Sequence, residues 1–192
     1  MPLDPSIAAV RLVQQLQLAH AGELAAARAY RGHARSVRRA DERAAIVRIE
    51  ADEWGHRRRV RAMLASLGAG PSPRRERVMG MVGKVIGLLC YVSGWFFPMY
   101  GAGWIERRNV HEYLDAASFA ADAGRAELVE PLLRMAEVEW DHEHFFRSKA
   151  AGHWLCRLFP LWGKLPTRAS LRLGPESPRL GLKAESLGDD SV

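Results

Sequence analysis

Apolar residues recur at three- and four-residue steps through four stretches of the chain, the period of one face of an α-helix. In the first stretch, Leu12, Leu16, Ala19, Glu23, Ala26, Ala27 and Tyr30 share a face, which predicts a helix over 7–38. The second, over 41–67, aligns Ala45, Ile49, Glu53, His56, Val60 and Leu64, with Asp41 expected as its N-cap and Gly68 as its stop. A third helix, expected over about 102–123, turns Ile105 or Glu106, Asn109, Tyr113 and Ala116 or Ala117 inward. The fourth, over about 126–150, aligns Leu128, Leu132, Met135, Glu139, His142 and Phe146, and Pro131 lies early enough to be tolerated. Helix-breaking turns fall at 38–41 and 122–124. The pattern therefore predicts an all-α protein, a four-helix bundle built of two antiparallel helical hairpins.

Between the hairpins, the pattern reads as a helix over 78–91 and a bend over 94–103 containing Trp95, Phe96, Phe97 and Pro98. No charged residue occurs from 85 to 105, nominally enough for a span of about 20 residues. Gly87, Gly94, Pro98, Gly101 and Gly103 interrupt it, so the segment reads either as buried core or as a lipid-facing or substrate-channel surface. From His153 the periodicity decays into Trp154, Leu155, Leu158, Phe159 and Trp162 among Arg157, Lys164, Arg168 and Arg172. That composition suits a membrane interface or a peptide packed back over the bundle. Past Gly174 the Pro, Gly, Ser and Asp content predicts disorder. The expected division is a bundle over 1–152 and a basic, aromatic, partly disordered tail over 153–192.

A chain of 192 residues that is 48% apolar can bury one core, which agrees with a single bundle. Its net charge of +6 favours an acidic partner, and an anionic membrane surface is the expected one. Nucleic acid is disfavoured, since the arginines scatter over several helices without a recognised motif. Cys90 and Cys156 lie far apart, offering neither a zinc spacing nor a disulfide framework, and point to a reducing compartment. The first residues lack the features of a secretory signal, so a cytoplasmic location is expected, peripheral on the inner face of the cell membrane.

The stripes carry residues that do not belong in an apolar core. Glu53 and His56 stand three apart on one helix face, and Glu139 and His142 repeat the spacing. Glu23 precedes Glu53 by 30 residues and Glu106 precedes Glu139 by 33, so each hairpin brings its two glutamates to one height. Four carboxylates and two imidazoles then converge in a volume that is intolerable without cations. One Glu from each of two helices plus Glu-x-x-His from the other two is the ligand set of a dinuclear carboxylate site in a ferritin-like four-helix bundle. Oxygen and imidazole donors suit two iron ions, with manganese as the other candidate. Asp141, Glu143 and His144 flank the stripe and are expected outside the site, although Asp141 and His144 share the same spacing. Glu50 reads as a reserve ligand or, preferentially, as a partner for one of Arg57, Arg58, Arg59 and Arg61, themselves expected on a solvated face. His20 is expected either to donate to Glu23 or to be solvated. Tyr30 and Tyr113 read either as core tyrosines with satisfied hydroxyls or as hydrogen-bond donors to a ligand carboxylate.

The run Ala19-His20-Ala21-Gly22-Glu23, followed by Tyr30, resembles the first-helix signature of the demethoxyubiquinone hydroxylase family, di-iron monooxygenases of ubiquinone biosynthesis. Glu53-x-x-His56, Glu106 with Tyr113, and Glu139-x-x-His142 are similar to its remaining motifs in order, while Ala19 and Arg107–Arg108 stand where the family carries acidic residues. The resemblance implies Glu23 and Glu106 as terminal ligands, Glu53 and Glu139 as bridging carboxylates, and His56 and His142 as nitrogen ligands. It also implies O2-dependent hydroxylation of a hydrophobic ring, a demethoxyubiquinone-like polyprenyl quinone taken from the bilayer. The other function class compatible with the ligand set is a ferritin-like ferroxidase, peroxide scavenger or iron store without an organic substrate. A homo-oligomer is left open.

Overall fold

The structure, a computed structural model, describes residues 2–172. It is helical throughout: α1 spans Pro5–Ser36, α2 Ala40–Ser66, α3 Pro73–Leu89, α4 Phe96–Asp122 and α5 Ala126–Ala150, followed by a short 3₁₀ turn and a four-residue α6, Arg168–Leu171. No strand occurs among the described residues. Helices α1 and α2 form one hairpin, α4 and α5 the other, and the hairpins meet chiefly through α1 and α4. This is the all-α bundle that the periodicity predicts.

Local chemistry sets the helix ends. The Asp4 carboxylate caps α1 by accepting from the Ser6 and Ile7 amides, with Pro5 at the first helical position, where its missing N–H is no loss. Asp41 does not cap α2. The helix starts at Ala40, and Asp41 lies inside the first turn, ion-paired with Arg39 at 3.2 Å. Gly68 and Gly124 close α2 and α4 with φ of 67° and 69°, a left-handed conformation that glycine adopts without steric cost.

Two apolar layers lie at opposite ends of the bundle. One contains Leu12, Leu16, Val60, Leu64, Ala117, Leu132 and Met135. The other contains Tyr30, Ala34, Ile46, Ile49, Met99, Ala102 and Phe146. The acidic and imidazole side chains of the stripes occupy the level between them, so each layer closes one end of the polar centre.

The segment between the hairpins differs most from expectation. Helix α4 begins at Phe96, so Gly101 and Gly103 are helical and the bend shrinks to 90–95. Pro98 is accommodated because it stands in the first turn, where a backbone N–H has no intrahelical acceptor. Helix α3 begins at Pro73, five residues before the apolar run, because Glu76 is fastened to Arg57 of α2 and His20 of α1. It docks on α1 through Gly80, Gly83 and Gly87, its buried residues. A Cβ at Gly83 would fall on the backbone of Ala25, and one at Gly32 of α1 on the backbone of Gly87. Because α3 packs through its glycines, its apolar side chains face outward: Met81 is 63% exposed, Leu88 69% and Val92, just beyond it, 78%. Of the two readings for this segment, buried core does not describe these residues. Among the described residues no helix is long and apolar enough to cross a membrane.

The segment after α5 folds back along the bundle. Trp162 lies against Gly103 and under the Arg147 guanidinium, and donates to Glu143 at 2.6 Å. Arg107 and Arg147 both donate to the Gly163 carbonyl, and Arg168 pairs with Asp141. Trp154, Leu158 and Phe159 remain exposed. The expected disorder past Gly174 lies outside the described residues.

Candidate metal centre

Each hairpin delivers its glutamates to the middle of the bundle, where Glu53, His56, Glu106 and Glu139 have no exposed surface and Glu23 and His142 almost none. Their donor atoms form two overlapping groups. Glu23, Glu53, His56 and Glu139 place one ligand atom each within 4.8 Å of one another, and so do Glu53, Glu106, Glu139 and His142. Glu53 and Glu139 belong to both groups, the position a bridging carboxylate would take. His56 Nδ1 is 2.7 Å from Glu139 Oε1 and 3.8 Å from Glu23 Oε1. His142 Nδ1 is 3.3 Å from Glu53 Oε1 and 3.5 Å from Glu139 Oε2. All six residues named from the sequence are thus brought together, and both imidazoles present the same nitrogen.

The electrostatics show how poorly such a cluster tolerates being metal-free. Burial raises Glu23, and burial with the charges of Glu139, Glu23 and Glu106 holds Glu53 well above the usual carboxylate range. Glu106 is likewise pushed well up by burial and by Glu139. Glu139 goes the other way: burial would raise it, but hydrogen bonds and charge from His142 and His56 hold it well down. Burial opposes protonation of His142, yet Asp52, Glu139 and Glu53 raise it well above the ordinary imidazole value. Without a cation, protons therefore have to separate the carboxyls.

The donor set fits two cations. Glu23 Oε2, both Glu53 oxygens, Glu139 Oε2 and His142 Nδ1 are buried with no hydrogen-bond partner, and nearly all buried polar atoms in folded proteins have one. The remaining atoms are held in place. Tyr30 donates to Glu106 and Tyr113 to Glu23, so both tyrosines satisfy their hydroxyls on candidate ligands. Asn109 donates to Glu106 Oε2 at 2.9 Å.

Asp52 is the residue that pattern reading misses. Its carboxylate lies 3.3 Å from His142 Nε2, leaving Nδ1 to face the centre, as a carboxylate behind a metal-bound imidazole does. The available signal was the acid immediately before Glu53; the second motif has Val138 there, and His56 Nε2 has no partner. Other assignments change. His20 is buried and bonds Glu76 at 2.7 Å, neither reaching Glu23 nor meeting solvent. Arg57 is half-buried on the same Glu76, whereas Arg58, Arg59 and Arg61 are exposed. Glu50 does pair with an arginine, but with Arg31 of α1. Asp141 and His144 are exposed, which removes the alternative register, and Glu143 is buried on Arg147 and Trp162 outside the centre. Arg108 pairs with Glu112 at 2.7 Å.

The family model described as "Ubiquinone biosynthesis protein COQ7" matches residues 11–108, which is 98 of the 192 residues. The match runs from Arg11 in α1 through α2 and α3 to Arg108 in α4, just past Glu106; Glu139 and His142 lie beyond it and join the centre through the fold. No curated protein and no solved structure gives a match. Matched over half its length, with the signature Ala19–Glu23 and Tyr30 on the helix that reaches the buried centre, the chain belongs to the COQ7 family of ubiquinone biosynthesis, the family that its first helix resembles.

Proposed function

We propose that the protein is an oxygen-dependent di-iron hydroxylase of a hydrophobic quinone precursor, working at a membrane surface. The observation that carries this reading is the pair of four-residue groups sharing Glu53 and Glu139 in a chain of a ubiquinone biosynthesis family. Glu23 and Glu106 would be the terminal carboxylates, Glu53 and Glu139 the bridging ones, and His56 and His142 the nitrogen ligands. Two iron ions held there would supply the reductive activation of O2 that side chains cannot perform. The chain's own contribution is geometric and electrostatic. Tyr30, Tyr113 and Asn109 hold the terminal carboxylates, Asp52 orients His142, and the apolar layers keep bulk water from the reacting atoms.

The outward-facing apolar surface of α3 supports the membrane part of the reading. A helix that docks by glycines and shows Met81, Val85, Leu88 and Leu89 to its surroundings suits the edge of a bilayer, where a polyprenyl substrate resides. We assign residues 1–152 to the metal-binding bundle and 153–192 to a tail, whose described part, 153–172, straps the α4–α5 side and adds the exposed Trp154, Leu158 and Phe159.

Two assays test the proposal together: flotation with anionic liposomes, and product formation from a demethoxyquinone with O2 and a reductant. Flotation with a hydroxylated product is expected. Rapid Fe(II) oxidation without lipid binding or product would replace it by the ferroxidase or iron-storage reading.

A further inference from the structure

The polar centre is closed at both ends by apolar layers, but not on every side. Between α1 and α4 a cavity of about 20 Å³, room for one water-sized molecule, reaches the Glu23 carboxylate. Its floor is Glu23 and Tyr113, both buried, and its rim is Ala19, Gly22, Asn109 and Glu112, the last three partly exposed. The opening depends on small residues. Ala19 and Gly22 stand one turn apart on the α1 face that meets α4, and a Cβ added at Gly22 would meet no atom within 4 Å. Of Glu23, which lines the floor, Oε2 is buried and has no hydrogen-bond partner. The opening between α1 and α4 thus ends on a candidate ligand, Glu23.

From this we infer that the α1–α4 opening is the port by which dioxygen-sized molecules reach the centre, separate from the route of the ring substrate. The inference rests on the metal-centre reading above. Volume sets the class of ligand: one water-sized molecule fits, whereas a substituted ring is too large, and the polar rim offers a polyprenyl chain nothing. The α3 surface where a lipid-borne substrate would arrive is built from different residues.

The port is tested by plugging it. Gly22→Leu and Ala19→Leu each fill the opening from α1. The first also replaces glycine with a better helix former in open space, so it is expected to fold. Wild type and both variants are loaded with iron, reduced without oxygen, and mixed rapidly with nitric oxide, a neutral diatomic probe whose binding is followed by absorbance. Helical content and iron stoichiometry are measured on the same samples. The expected result is unchanged iron content with nitric oxide association slowed about tenfold or more in both variants. Folded, iron-replete variants that bind nitric oxide at the wild-type rate overturn the port alone. A wild type that takes up no iron overturns the metal-centre reading, and the port with it.

Discussion

Replacing Glu53 with leucine separates what the centre contributes to function from what it costs the fold. The Glu53 side chain has no exposed surface, neither of its oxygens has a hydrogen-bond partner, and burial together with three other carboxyls holds it well above the usual carboxylate range. Leucine is of similar volume and removes those polar atoms. Relief of an unsatisfied buried group is worth about 1–3 kcal/mol. Reshaping the packing around a branched side chain returns up to about 1.5 kcal/mol. Metal-free Glu53→Leu is therefore expected to be more stable than metal-free wild type by about 1 kcal/mol. With Fe(II) in anaerobic buffer the order changes. Each site held at 100 times its Kd adds about 2.7 kcal/mol to the wild type, and the variant loses both increments because Glu53 belongs to both groups. Urea unfolding followed by circular dichroism, with chelator and with Fe(II), measures all four stabilities. A variant that is less stable than wild type without metal, or one that keeps the full metal increment, would refute the reasoning.

His33, one residue removed from the candidate ligands through Tyr30, supplies a pH dependence of stability. Buried against Tyr30 and Phe146 with Nε2 unpartnered, it is pushed by burial down to about 4. The unfolded chain, with an ordinary value of about 6.5, binds the proton more readily, so stability falls as pH drops below that value and levels off below the folded one. From pH 7 to pH 5 the loss at this site is about 2 kcal/mol, and His33→Phe is expected to lose that much less over the same range. At Gly83, where a Cβ would meet the Ala25 backbone, leucine is expected to destabilise by about 1–3 kcal/mol and to speed amide exchange in α3. Unchanged exchange there would contradict the close α1–α3 contact. Met81→Asp with Leu88→Asp, both at exposed positions, is expected to keep the wild-type melting curve and abolish liposome flotation. Undiminished flotation would exclude the α3 face as the lipid contact.

Where each helix packs along one continuous stripe, period and spacing were enough to read it. The α5 stripe gives the observed ends, and the Glu23–Glu53 and Glu106–Glu139 intervals place all six candidate ligands at one level. Helix α3 is legible as a helix over 78–91, but not the face it docks by, because its docking residues are glycines, which leave no apolar period on the buried side; the visible pattern, Met81 to Leu88, is the outward face. The start of α4 was hidden because Pro98 and Gly101 read as breakers when their position within the first turns is unknown. His20 and Asp52 were misjudged or missed for another reason. Their partners, Glu76 and His142, lie 56 and 90 residues away in sequence, and no local spacing encodes those contacts.

The proposed function requires that Glu23, Glu53, His56, Glu106, Glu139 and His142 together hold two iron ions. Metal analysis of purified wild type beside Glu53→Ala and Glu139→Ala, each lacking a carboxylate common to both four-residue groups, tests it most directly. About two iron equivalents are expected in the wild type, with loss of both in each variant. Two equivalents retained by folded Glu53→Ala and Glu139→Ala proteins would contradict it.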